Sequence, residues 1–216
     1  MSYKLAIFDL DGTILDTLED LTDSVNYALI KNAMPPRTVE EIRSFVGNGA
    51  RLLIERAVLT GSPSDTANKV LGDYHEYYAT HSDIKTRPYP GIIDMLTNLR
   101  AAGCMTAVLS NKPDAPAKVL CERYFPGLFH IACGEKEGVP RKPAPNGVTY
   151  ILEQLSISPK DAVYIGDSDV DIETAKNAGL DCISVDWGFR DAEFLRGHGA
   201  KNTVSTASAL EKQILE

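Results

Sequence analysis

Long apolar runs are missing from this chain of 216 residues, and no stretch reaches the roughly 20 apolar residues that span a membrane. The opening MSYKLAIFDLDG meets acids at once and has too short an apolar run for a secretory leader, so a cytoplasmic protein is expected. Positive charge is also scarce: 22 Lys and Arg against 30 Asp and Glu leave a net charge of −8. That balance argues against nucleic acid or an anionic membrane as the main partner, so any anion site must be a local pocket. Cysteine is sparse and unpatterned. Cys104, Cys121, Cys133 and Cys182 form no CxxC, which argues against a zinc site and for reduced, mostly buried thiols. Repeats and low-complexity tracts are absent.

What remains is an ordinary globular composition, 44% hydrophobic and 24% charged, long enough for one domain or a domain with an insertion. Five short apolar runs read as buried strands: Leu5–Phe8, Met105–Leu109, Leu128–Ala132, Ala162–Ile165 and Cys182–Val185. Between the later ones lie helix-length segments, 92–102, 114–124, 146–155 and 169–178. Asp114 can cap one of these, and Gly103 and Gly179 follow the ends of two others. This alternation implies an α/β fold with a parallel sheet covered on both faces.

Residues 15–87 break that rhythm. Four helical pieces are expected there, 18–32, 39–45, 50–59 and 64–81, separated at Met34-Pro35-Pro36, Gly47-Asn48-Gly49 and Gly61-Ser62-Pro63. The expected organisation is a Rossmann-like parallel-sheet core, residues 1–15 and 88–216, with an inserted α-helical domain, residues 16–87.

Ligands of open α/β sheets bind where the strands end. The first strand ends in Asp9, with Asp11 two residues on and Gly12 next. The second ends in Ser110-Asn111-Lys112, and the fourth in GDSDVD, residues 166–171; Lys142 precedes the fourth strand. Two buried acids one residue apart repel each other and need compensation. Carboxylates from two strand ends suit a hard, oxygen-preferring cation, above all Mg²⁺. A hydroxyl and a lysine beside it suit a phosphoryl group.

DLDGT, Ser110, Lys142 and GDSDVD together resemble, in order and spacing, the four motifs of the haloacid dehalogenase-like superfamily of phosphohydrolases. The helical insertion resembles that family's small α-helical cap. DLDGTILDT, FVGNGARLLIERA, LSNKP and VDWGF resemble the phosphoglycolate phosphatases within it. The resemblance implies that Asp9 attacks phosphorus and becomes an aspartyl phosphate. Asp11 would protonate the leaving oxygen and then activate water. Asp9 and Asp167 would hold Mg²⁺ by their carboxylates and Asp11 by its backbone carbonyl, with Asp171 supporting the metal or orienting the lysine. Ser110 and Lys142, with Asn111 beside them, would hold phosphoryl oxygens. An aspartate at position 11 favours phosphatase over dehalogenase.

In the helical insertion, the helix start at Gly47, Asn48 and Gly49, with Arg51, could meet a substrate carboxylate; the bland alternative is a plain glycine-containing helix start with Arg51 in solvent. Arg37, Arg43 and Arg56 read as solvated faces, Tyr74, Tyr77 and Tyr78 as packing, and Asp169 as peripheral. Lys112 reads equally as a substrate contact or a bystander. Trp187 reads as non-catalytic, in a loop near the site.

The implied activity is Mg²⁺-dependent hydrolysis of a small acid phosphate, with 2-phosphoglycolate the best single guess. Pyrophosphate, nucleotides and sugar phosphates are alternatives, as are a sugar phosphate mutase and a non-catalytic binding protein. The implied partner is a small phosphorylated substrate, without nucleic acid or membrane, and the chain is expected as a monomer or homodimer.

Overall fold

The computed structural model describes residues 3–63 and 65–216. The chain divides into two compact units, one of residues 1–15 with 88–216 and one of residues 16–87. The chain passes between them at β2 (Leu15–Asp16) and β3 (Arg87–Pro88), which pair as a two-stranded ribbon.

The first unit is built on β1 (Leu5–Phe8), whose four side chains are fully buried. It lies in a parallel sheet with β4 (Met105–Pro113), β5 (Ile131–Glu135), β6 (Ala162–Gly166), β7 (Asp181–Val185) and β8 (Thr203–Val204), in the order β5-β4-β1-β6-β7-β8. A strand buried on both faces needs apolar residues at every position. Ala6 and Phe8 point into one core with α5 (Ile92–Ala101), α6 (Asp114–Tyr124) and α10 (Ala207–Leu215). Leu5 and Ile7 point into the other, with α7 (Asn146–Leu155) and α8 (Asp169–Ala178). Burial of these two apolar faces is the main stabilising term.

The second unit contains α1 (Leu18–Lys31), α2 (Val39–Phe45), α3 (Gly49–Ala57) and α4 (Thr66–His81). Its buried residues include Val25, Leu29, Ile42, Ile54, Val70 and Tyr74. Thr38 and Glu41 form a reciprocal capping box at the start of α2. The expected start of the last helix at Ser64 lies outside the described residues.

Some expectations need correction. The second sheet strand runs on through Ser110-Asn111-Lys112 to Pro113, with its register against β5 broken between Leu109 and Pro113. The expected strand 128–132 sits three residues further on. Leu128 and Phe129 are partly buried side chains packed on the core, and pairing with β4, Ala107 to Ile131 and Leu109 to Cys133, sets the strand instead. Asp114 does not cap α6. The cap position is Pro113, and the Asp114 carboxylate accepts from the Gly134 amide at 3.0 Å and from Lys118 at 2.8 Å. Arg37 is not a solvated face: it is partly buried, and its Nε donates to the Ala57 carbonyl at 2.8 Å; Arg56 is exposed as expected, and its Nη1 donates to the Phe45 carbonyl at 2.6 Å. Each therefore ties a helix end of its unit. Tyr74 and Tyr78 are buried and stacked on each other, as packing residues are. The short β8, the helix α9 (Ala192–Gly197) and α10 lay outside the expected elements.

Candidate active site

The ends of β1, β4 and β6 bring the strand-end residues of the first unit together. Asp9 follows β1, and its amide still bonds the Ile165 carbonyl of β6 at 2.9 Å, which fixes its backbone. Its Oδ1 accepts from the Leu10 amide at 2.7 Å and lies 3.0 Å from Lys142 Nζ. Lys142 Nζ also lies 2.8 Å from Asp171 Oδ1. The other oxygen of Asp171 accepts from the Ser168 amide and hydroxyl, at 3.1 and 2.6 Å, as the capping box that starts α8. Asp171 therefore serves the helix and the lysine at once.

Asp167 is nearly fully buried, and among the described residues its donors are neutral, the Thr13 hydroxyl at 3.1 Å and the Phe189 amide at 2.7 Å. Asp9, Asp167 and Asp171 each offer an oxygen within 4.8 Å of the others. Three carboxyls share this pocket with the one ammonium of Lys142, so full ionisation would leave it two charges negative. Burial, then the neighbouring acids Asp171 and Asp11, push the Asp9 carboxyl up to about 7, although Lys142 opposes them. Burial, then Asp171 and Asp9, hold Asp167 well above the usual carboxylate range. Burial would lower the Lys142 ammonium, but Asp171 and Asp9 outweigh it and hold it well above its ordinary value.

Such a charge deficit among hard oxygen donors fits a divalent cation of the Mg²⁺ type. The backbone leaves room for the cluster. Gly12 has φ +84°, and a Cβ there would overlap the Asp167 carboxylate. A Cβ at Gly188 would overlap Gly12 and Asp167 in the same way.

Ser110 and Asn111 lie in the irregular stretch of β4, and both are buried. The Asn111 carboxamide is matched to the backbone of Lys142 in both directions: Nδ2 donates to its carbonyl at 3.1 Å, and Oδ1 accepts from its amide at 2.9 Å. Asn111 thus holds the segment that presents Lys142. The Lys142–Pro143 peptide is cis. Ser110 Oγ accepts from the Lys112 amide at 3.2 Å. Lys112 Nζ lies 2.9 and 3.2 Å from the two oxygens of Asp11. Asp9 and Asp11 therefore face different lysines.

Sequence reasoning gave no role to Thr13, although it stands inside DLDGT, and it left Lys112 undecided. The threonine hydroxyl two residues after Asp11 was the available signal for the first. The loop with Trp187 closes on the same cluster: Trp187 Nε1 donates to the Thr13 carbonyl at 3.0 Å, next to the Phe189 amide on Asp167. Gly47, Asn48, Gly49 and Arg51 lie in the other unit. There Asn48 Oδ1 accepts from Arg56 at 2.9 Å, and Arg51, half exposed, reaches Asn68 at 3.2 Å and Glu55 at 3.4 Å.

The family model described as "Haloacid dehalogenase-like hydrolase" matches residues 6–185. A phosphoglycolate phosphatase of Mesorhizobium japonicum is 34% identical over 222 residues, covering 100% of this chain and 96% of its own. Phosphoglycolate phosphatase 1 of Pseudomonas aeruginosa is 34% identical over 86% of this chain and 70% of its own. The crystal structure of a supposed phosphoglycolate phosphatase from Lactobacillus delbrueckii subsp. bulgaricus superposes with a TM-score of 0.96 at 42% identity, covering 100% of this chain and 99% of that one.

Proposed function

This chain belongs to the haloacid dehalogenase-like hydrolase family and is a phosphatase, and from that premise we propose that it hydrolyses 2-phosphoglycolate through an aspartyl phosphate, with Mg²⁺. The observation that carries the mechanism is the pocket itself. One acid, Asp9, is held by a lysine beside two further acids, three carboxyls to one ammonium. Support for the substrate comes from the names of the relatives, which match the chain over its whole length.

Asp9 is the proposed nucleophile. A carboxylate oxygen forms a bond to phosphorus while the bond from phosphorus to the substrate oxygen breaks. Asp11 gives the departing oxygen its proton and then takes one from the water that attacks the acyl phosphate. The bond from phosphorus to Asp9 breaks, inorganic phosphate leaves, and both acids return to their starting states. Ser110 and Lys142 are proposed to hold phosphoryl oxygens, and Asn111 to act through Lys142. Asp9, Asp167 and the Asp11 carbonyl are proposed to hold Mg²⁺, with Asp171 orienting Lys142. When bound, the cation supplies charge neutralisation at the phosphoryl group. Thr13 and the Phe189 amide keep Asp167 in place.

The same proposal assigns selection of the substrate's carboxylate end to Gly47, Asn48, Gly49 and Arg51. Free cysteines, three of them buried, support a reducing compartment such as the cytoplasm. Among the described residues no helix is long and apolar enough to cross a membrane.

Phosphate release from 2-phosphoglycolate, pyrophosphate, nucleoside monophosphates and hexose phosphates, with and without Mg²⁺, tests the proposal. A preference for 2-phosphoglycolate that vanishes with chelator supports it. Turnover unaffected by chelator removes the metal, and a preference for another ester removes the substrate. An Arg51→Ala variant with an unaltered substrate profile removes the role given to Arg51.

A further inference from the structure

We propose that Lys112 is the positioning residue for Asp11: its ammonium sets the direction in which the acid/base carboxylate faces. The inference rests on the acid/base role proposed for Asp11 and goes beyond it. Among the described residues, Lys112 is the side-chain partner of Asp11, and it grips both carboxylate oxygens, at 2.9 and 3.2 Å. The two residues are 101 positions apart in sequence. A carboxylate with a single partner turns wherever that partner leads it, and contact with both oxygens fixes the direction in which it faces.

Burial argues the same way. The Lys112 side chain is 3% exposed and that of Asp11 is 18% exposed. A lysine this deep is tolerated only with a charge to face, and an apolar side chain would fill a strand end at less cost. The lysine is also built into the site by its backbone. Its amide donates to Ser110 Oγ, so one irregular segment of β4 presents the phosphoryl-binding hydroxyl and the ammonium that holds the acid. Irregular strand segments of this kind re-aim side chains next to active sites. The two acids of DLDGT are thereby divided between two lysines. Lys142 faces Asp9 and Asp171, whereas Lys112 faces Asp11. The division keeps one carboxylate aimed at phosphorus and lets the other be aimed separately at the leaving oxygen and the water.

The test uses Lys112→Met, Lys112→Arg, Asp11→Asn and the double variant Lys112→Met/Asp11→Asn. The substrates are an alkyl phosphate, whose leaving group needs a proton, and p-nitrophenyl phosphate, whose leaving group does not. Lys112→Met is expected to lower kcat for the alkyl ester by about 10²-fold with little change in KM. The first-turnover burst with p-nitrophenyl phosphate should fall far less. Lys112→Arg should recover most of the loss. In the double variant, removing Lys112 should add little to the effect of Asp11→Asn on turnover, because the carboxylate it positions is already gone.

Equal losses on both backgrounds would overturn the proposal, since Lys112 would then act elsewhere. A raised KM with unchanged kcat would overturn it too, by making Lys112 a substrate-binding group. An Asp11→Asn variant that shows no leaving-group dependence would remove the acid/base role itself, a separate failure. Should Lys112→Met not melt cooperatively, Lys112→Gln takes its place and is judged by the same outcomes.

Discussion

Two carboxylates in this protein are almost equally hidden from solvent and are held in opposite ways. Asp20, in the helical unit, is 2% exposed, and Asp167, in the sheet unit, 1%. The oxygens of Asp20 accept from the Lys85 amide, at 3.0 Å to each, and from the Thr86 amide and hydroxyl at 2.8 Å. These donors come from the segment that follows α4, so Asp20 ties the start of α1 to it. Asp167 has two neutral donors and shares its space with Asp9 and Asp171. Depth alone does not mark a functional acid. The balance of donors and like charges around it does.

The comparison is broken most severely at Asp9, the proposed nucleophile. Asp9→Asn should lower turnover by about 10⁴-fold or more, because it removes the group proposed to attack phosphorus. Melting of the metal-free variant should stay cooperative, at or above the parent's midpoint. Steady hydrolysis by this variant would sink the assignment. Next come the two buried acids themselves. Asp20→Ala leaves buried donors unmatched and should destabilise by roughly 1–3 kcal/mol, seen as a lower melting temperature. Asp167→Asn should have a different character. It relieves the crowding of three carboxyls and leaves only one of two donors unmatched, so the metal-free protein should lose less stability than with Asp20→Ala, whereas the rise in melting temperature on adding Mg²⁺ should disappear. Equal destabilisation by both variants would erase the distinction between clamp and site.

The alternating apolar runs made the α/β class legible, because β1 and β6 are buried on both faces and read as continuous apolar stretches. Helix limits were legible where a local signal exists. Segments 114–124, 146–155 and 169–178 stand as expected, the last closed by Gly179 at φ +72°. The strand β5 was misplaced because its limits depend on pairing with β4 rather than on its own hydropathy. The two-residue β8 is too short to carry a period. At the site, DLDGT and GDSDVD pointed to the sheet end at which Asp9, Asp167 and Asp171 meet. The choice of partner was not legible. That Lys142 faces Asp9 while Lys112 faces Asp11 depends on the register break in β4 and on distances across the fold, which no local pattern records.

The smallest expected effect is a slope of stability against pH, and its sign sharpens the same contrast. The Asp9 carboxyl stands at about 7 in the folded chain, against an ordinary aspartate near 4. Between those values the folded protein holds a proton that the unfolded chain has released, so raising the pH through this window removes stability. Asp167, lifted by burial and by Asp171 and Asp9, acts in the same direction. The metal-free protein should therefore melt at progressively lower temperature as pH rises from about 5 to about 7. With saturating Mg²⁺ the slope should vanish, because the cation displaces the protons and the folded and unfolded chains then carry the same ionised carboxylates across this window. Asp167→Asn should flatten the difference between the two slopes. Melting curves across that range, with chelator and with Mg²⁺, decide it. Parallel slopes would mean that the acids at the sheet end do not share a cation site, and the clustering of three carboxyls would need another explanation.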